Sequence, residues 1–162
     1  KILQAINNFI YEITLWLATT IIAVIVLALF LSAFTRYVSG IGYDWFIELP
    51  PVLTSWLVFP LLGPLLIKGK HIKVDFISSY IGEASKSVLR LFVALIALLS
   101  GIIFFKAGVE ATMLYFNLGQ KMELEIDIPI WWMYLAFPTG FFILILFSLQ
   151  MICEEINIIR KA

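Results

Sequence analysis

From Ile13 to Phe34 the chain carries no charged residue. A helix of that length covers about 30 Å of hydrocarbon at about 1.5 Å per residue. Three further apolar stretches follow: Leu49–Ile67, a run from Ser87 into Phe105, and Ile130–Cys153. In lipid every backbone N–H and C=O must be paired within the segment, so such runs cross as helices whatever their β-branched content. Hydrophobic residues make up 62% of the 162 positions, where a soluble domain is nearer half apolar, so the runs cannot be hidden in a small water-soluble core. The fold expected is an all-α integral membrane protein in one domain. It has four transmembrane helices, over about residues 13–35, 49–67, 87–110 and 130–153, plus a short amphipathic helix at the interface.

Between the second and third runs lies the only short segment dense in positive charge, Lys68-Gly69-Lys70-His71-Ile72-Lys73-Val74-Asp75. Lys and Arg near span ends stay in the cytoplasm. Placing this loop, residues 68–75, inside puts Lys1, Lys68, Lys70, Lys73, Lys86, Arg90, Arg160 and Lys161 inside. Arg36, Lys106 and Lys121 fall outside, eight cations against three. Both termini are then cytoplasmic. After the loop, Val74, Ile77 and Ile81 recur at helical spacing with Asp75 placed to cap, and Gly82 interrupts the pattern. Pro50 and Pro51 suit a first helical turn, whereas Pro60 and Pro64 lie inside the second span and should bend it. Residues Lys1–Tyr11 read as a short cytoplasmic lead-in that becomes helical, and Glu154–Ala162 as a charged tail.

Net charge is zero, with no basic face of the kind nucleic acid requires. One cysteine, Cys153, forms no intrachain disulfide, and the single His71 cannot build a multi-histidine zinc or bis-histidine haem site. Ionisable groups deep in a span mark functional sites, and transporters place polar groups near the midplane. Spans one, two and four are uncharged through their centres. The chain therefore reads as a partner subunit that does not itself bind the transported or reacting species. Lys68, Lys70 and Lys73 signal topology and suit lipid headgroups. His71, in a solvated loop, takes a structural hydrogen-bonding role. Arg36 and Glu48 flank the outer turn and are expected to pair structurally, either with each other or with a partner. Lys106 and Glu110, four apart, should pair near the outer interface. Glu123 to Asp127 form a solvated outer loop. Ala97 with Gly101, and Ala136 with Gly140, have the small-residue spacing of close helix contacts, either within the chain or to another. Trp16, Trp45 and Trp56 serve as interfacial anchors or packing residues, and Trp131, Trp132 and Tyr134 form a belt at the outer end of the fourth span.

In order along the chain stand Arg36-Tyr37, Trp45, Glu48, Trp56, Gly63, the loop Gly69-x-His71-Ile72-x-Val74-Asp75, then Pro129-Ile130-Trp131-Trp132 and Pro138-Thr139-Gly140. This set resembles the small membrane subunit of tripartite ATP-independent periplasmic (TRAP) transporters, the DctQ-type family, over nearly the whole chain. Where that family often shows two consecutive acids after the tryptophan, this chain has Ile47-Glu48, so only Glu48 carries over. The resemblance implies a scaffold in a bacterial or archaeal inner membrane. Its partners would be a large elevator-type membrane subunit, which holds substrate and sodium, and a periplasmic binding protein that delivers an organic acid such as a dicarboxylate or sialic acid. It implies no cofactor and no enzymatic activity. It makes Arg36, Trp45, Glu48, Trp56, His71, Asp75, Pro129 and Trp132 the candidate structural or partner-interface residues. Two other readings compete: a four-helix membrane anchor of a redox enzyme, with His71 as at most one haem ligand, and a free-standing small transporter.

Overall fold

The computed structural model describes residues 2–67, 83–122 and 127–161. Helix α1 runs Ile2–Ser39 and α2 runs Trp45–Ile67. Helix α3 runs Glu83–Leu118, followed by the short α4, Ile130–Tyr134, and by α5, Ala136–Lys161. Among the described residues there is no strand, only an isolated antiparallel bridge between Lys121 and Pro129. Four helical stretches are long and apolar enough to cross a membrane: Leu3–Ser39, Trp45–Ile67, Ser87–Leu118 and Ile130–Arg160. The expected amphipathic helix after the basic loop, with Asp75 at its cap, lies outside the described residues.

Two helices are much longer than a span. Helix α1 has 38 residues, about 57 Å, and α3 has 36 residues, about 54 Å, against about 30 Å of hydrocarbon. The lead-in expected before the first span is thus part of the helix. The tail expected after the fourth is equally helical, since α5 continues through Glu154 to Lys161. The fourth stretch is divided at Leu135, whose N–H bonds to the carbonyl of Trp131 at 2.9 Å. Pro138, three residues on, has no N–H to offer the Tyr134 carbonyl, which explains why the ladder is interrupted there. Pro60 and Pro64 sit inside α2, which stays one helix across them.

Helix α5 is the centre of the arrangement. It packs along α2 on one side and α3 on the other, α1 packs chiefly on α2, and α3 takes its packing from α5 and α4. The spatial order α1, α2, α5, α3 is an open row and not a closed four-helix bundle. Small residues decide how close the row is. A methyl group added at Gly140 would collide with the backbone of Phe59 in α2. One added at Gly63 would lie 2.8 Å from Ile143 and 2.9 Å from Phe147. On the other side Gly101 meets Ile145, and Gly108 meets Pro138. Ala136 is fully buried, so the Ala136–Gly140 pair seals α5 to α2 within the chain. On α3 the fully buried partner of Gly101 is Ala94, with Ala97 only half-buried. Helix α1 contributes one narrow buried stripe, Asn7, Thr14, Ala18, Ile21, Ala28 and Ser32. Its spacings of three, four and seven are those of close helix packing in lipid.

At the end of the row where α1 begins and α5 finishes, polar side chains tie the helices. Arg90 of α3 reaches Glu155 of α5 at 3.3 Å. Glu155 is 5% exposed, and its second oxygen has no partner among the described residues.

Two outcomes follow from this packing. Gly140→Val forces α2 off α5 and should destabilise the purified protein by about 1–3 kcal/mol, the usual cost of overpacking. Gly101→Ala, which meets only the end of Ile145 and more distant atoms, should cost clearly less in the same thermal-melting series. Arg90→Leu strands a buried carboxylate and should cost on the order of 1–3 kcal/mol. The double variant Arg90→Leu/Glu155→Leu should recover most of that loss. A double variant as unstable as the single one would show that the pair is not what joins α3 to α5.

Candidate partner interface

The two ends of the row differ in chemistry. Residues at the end opposite Arg90 are aromatic. Trp56 of α2 donates its indole N–H to the backbone carbonyl of Trp132 at 3.2 Å, and the two rings lie 5.5 Å apart. Tyr134 stacks on Tyr115 of α3 at 4.3 Å, and Phe116 meets Trp131 edge-on at 5.6 Å. Phe59 lies 4.0 Å from Phe137. The short helix α4 is therefore held on both flanks, by α2 through Trp56 and by α3 through Tyr115 and Phe116. Pro129 sets up this placement. Its extended backbone, φ −64° and ψ 132°, stands at the N-cap of α4. The bridge to Lys121 is closed by Met122 N–H to Ile128 O at 2.9 Å and Ile130 N–H to Gln120 O at 3.1 Å. Lys121 also pairs with Asp127 at 2.9 Å. Most of the expected acidic loop, residues 123–126, lies outside the described residues.

Trp56 and Trp132, distant in sequence, are thus brought together, with Pro129 beside them. The other expected residues of this end are placed separately. Arg36 stands in the last turn of α1, and the end of its side chain lies against Gly42 in the turn to α2. The turn places Glu48 in the first turn of α2, where its charge complements the helix dipole. Trp45 opens α2 and stacks on Phe46 at 3.9 Å. Lys106 and Glu110 stand 4.0 Å apart with both side chains largely exposed, a weak pair. Lys68, Lys70, His71, Lys73 and Asp75 lie outside the described residues.

The opposite end holds a polar cluster that reading the sequence missed. The Asn7 side-chain amide donates to Gln150 Oε1 at 2.6 Å and to the Leu146 carbonyl at 3.2 Å. Gln150 donates to Glu154 Oε1 at 2.8 Å, and Gln4 donates to the same oxygen at 3.0 Å. Assigning Lys1–Tyr11 to a lead-in and Glu154 onward to a tail left these residues unconsidered. A signal was present in the heptad spacing, since Asn7 and Thr14, and likewise Ser148 and Glu155, share one helix face.

Between the ends most of the threonine and serine hydroxyls are satisfied within their own helix. Thr14, Thr19, Thr20 and Thr35 in α1 each donate to the carbonyl four residues back. Thr54 in α2, Ser100 and Thr112 in α3, and Thr139 and Ser148 in α5 do the same. Among the described residues no group of three or more His, Cys, Asp or Glu is placed to hold a metal ion.

No curated protein matches the chain closely enough to report. A family model does match, described as tripartite ATP-independent periplasmic transporters, DctQ component, over residues 25–157. That range reaches from the middle of α1 through all but the last turn of α5, and so takes in the aromatic end, the Gly140 contact and the Arg90–Glu155 pair. With four helices able to span a membrane and a family match over most of its length, the chain belongs to the DctQ family, the small membrane component of TRAP transporters.

Proposed function

We propose that this chain is the stationary, non-substrate-binding scaffold of a TRAP-type secondary transporter in a bacterial or archaeal inner membrane. It works with a large elevator-type membrane subunit and with a periplasmic substrate-binding protein, in sodium-coupled uptake of an organic acid of the dicarboxylate or sialic acid type. The observation that carries the reading is the chemistry of the span interiors. Most of their threonine and serine hydroxyls donate to carbonyls one turn back in the same helix, and buried Glu155, paired with half-exposed Arg90, lies at one end of the row. A substrate or sodium path needs inward-facing polar groups near the midplane. The open row supports the same reading, because it leaves long apolar flanks on α1 and α3 that either lipid or a large apolar subunit can cover. The family match favours this reading over a redox-enzyme anchor.

Both termini and the basic loop, with Lys68, Lys70 and Lys73, face the cytoplasm in this arrangement, and the aromatic end faces the periplasm. Arg36, Trp45, Glu48, Trp56, Pro129 and Trp132 then stand at the outer surface, within reach of the large subunit or the binding protein.

Detergent extraction from the native membrane should bring down a partner of roughly ten or more spans, identified by mass spectrometry. Recovery of a flavin or iron–sulfur protein instead would overturn the proposal. The chain reconstituted alone should show no uptake of organic acid, and uptake without a partner would equally refute it. Charge reversal at Arg36 or Glu48 should lower recovery of the partner several-fold, with reversal at Lys161 neutral. Equal effects at all three would remove Arg36 and Glu48 from the interface. A cysteine placed at Lys70 should react with an impermeant label only from the cytoplasm.

A further inference from the structure

The edge helix α3 carries two charges on the face it turns away from the row. The side chains of Lys106 and Glu110 are 81% and 70% exposed, with Nζ and Oε1 4.0 Å apart. Gly108, between them, is the residue that meets Pro138 of α5, and positions two away from it on either side lie on the opposite face of the helix. We propose that this face of α3 docks against the large membrane subunit, through a helix of that subunit with polar side chains level with Lys106 and Glu110. The proposal rests on the scaffold reading above and adds which edge of the row is covered.

Depth makes these charges informative. Phe104 stacks on Phe141 at 5.2 Å and Phe105 lies 6.1 Å from Phe142, so Lys106 stands level with the apolar part of α5. Arg90 and Tyr115 mark the two structured ends on α3 and stand about 37 Å apart along the helix. Lys106 is about 13 Å short of Tyr115 and about 5 Å from the midpoint, and Glu110 is about 7 Å short of Tyr115. Lys106 reaches one turn, to Glu110, and so does not extend to the aromatic end. At 4.0 Å the two groups are beyond hydrogen-bonding distance, and lipid tails offer no hydrogen bond. Charged groups at such depth face protein or a water-filled path. The undescribed stretches join the chain far from this level: Glu83 is about 34 Å down α3, and Met122 lies past its outer end.

The rest of the face suits a partner helix. Ile96, Leu99, Ile103 and Met113 are each more than half exposed. With Lys106 and Glu110 they recur at alternating steps of three and four, the spacing of a seam packed by another helix. The α1 edge differs. Between Glu12 and Arg36 it has no charge, and Thr19, Thr20 and Thr35 bond within their own helix, so lipid suffices to cover it inside the membrane. A second copy of this chain is a poorer match than a different one. Two-fold pairing in one membrane sets Lys106 beside Lys106 and Glu110 beside Glu110, whereas a different chain can set an acceptor against Lys106 and a donor against Glu110.

The test uses the full chain in its native membrane. A photo-cross-linking amino acid is placed singly at Ile103 or Met113 of α3 and at Val26 or Phe30 of α1, all exposed positions. Cross-links to the large subunit should be several-fold stronger from α3 than from α1. Replacing both charges, Lys106→Leu with Glu110→Leu, should lower recovery of the large subunit several-fold, while the purified chain alone keeps its melting temperature. Cross-linking leaves both charges in place, so it decides even where the double variant is unstable. Cross-links as strong from α1 as from α3, or recovery unchanged in a folded double variant, would overturn the proposal and leave the scaffold reading standing. Cross-links from Ile103 to a second copy of this chain would overturn it as well. Absence of any large partner would refute the scaffold reading and this inference with it.

Discussion

Helix α5 can lie at the centre of the row only because Gly140 lets its backbone touch that of Phe59 in α2. Lipid tails are as apolar as the side chains facing them, so little hydrophobic force draws helices together in a membrane. Association rests on van der Waals contact and a few polar bonds. Contact of that kind strengthens as backbones approach, and only glycine and alanine permit the approach. Gly63 and Gly140 serve the α2 side, while Gly101 and Gly108 serve the α3 side. With both sides of α5 occupied, α1 is left to pack on α2 and α3 to stand at the opposite edge. The open row follows from which helices carry glycine at contact positions.

The polar groups are distributed by the same environment. A hydroxyl in lipid must find a partner or bear a heavy desolvation cost, and the nearest partner is the carbonyl one turn back. Most threonines and serines of the spans take it. Groups that cannot satisfy themselves in this way collect largely at the ends. Asn7, Gln150, Arg90 and Glu155 join three helices at one end, while Trp56, Trp132, Tyr115 and Tyr134 hold α4 at the other.

Much of this was legible in the sequence, for physical reasons that can be named. Charge-free runs of spanning length reveal crossing helices, because the cost of a charge in hydrocarbon leaves few alternatives. The ordered set from Arg36 to Gly140 was enough to suggest the family, which the match over residues 25–157 shows. The small-residue spacing at Ala136 and Gly140 marked a contact face, though not which helix met it. Other expectations failed where the outcome turned on a neighbour in space. The first and last ten or so residues read as a lead-in and a charged tail, yet each buries a polar side chain against the other helices, Asn7 and Glu155.

The sequence by itself determined that the chain crosses a membrane as helices, how many crossings it can make, and the family to which it belongs. These depend on hydrophobic length and on residues read in order along one chain. Only the tertiary structure decided that α5 is central, that Trp56 meets Trp132, and that Asn7 and Arg90 find their partners on α5. Those facts depend on which helix faces come together, and in lipid that choice is made by contacts between residues far apart in sequence, where no periodicity within one segment records the partner.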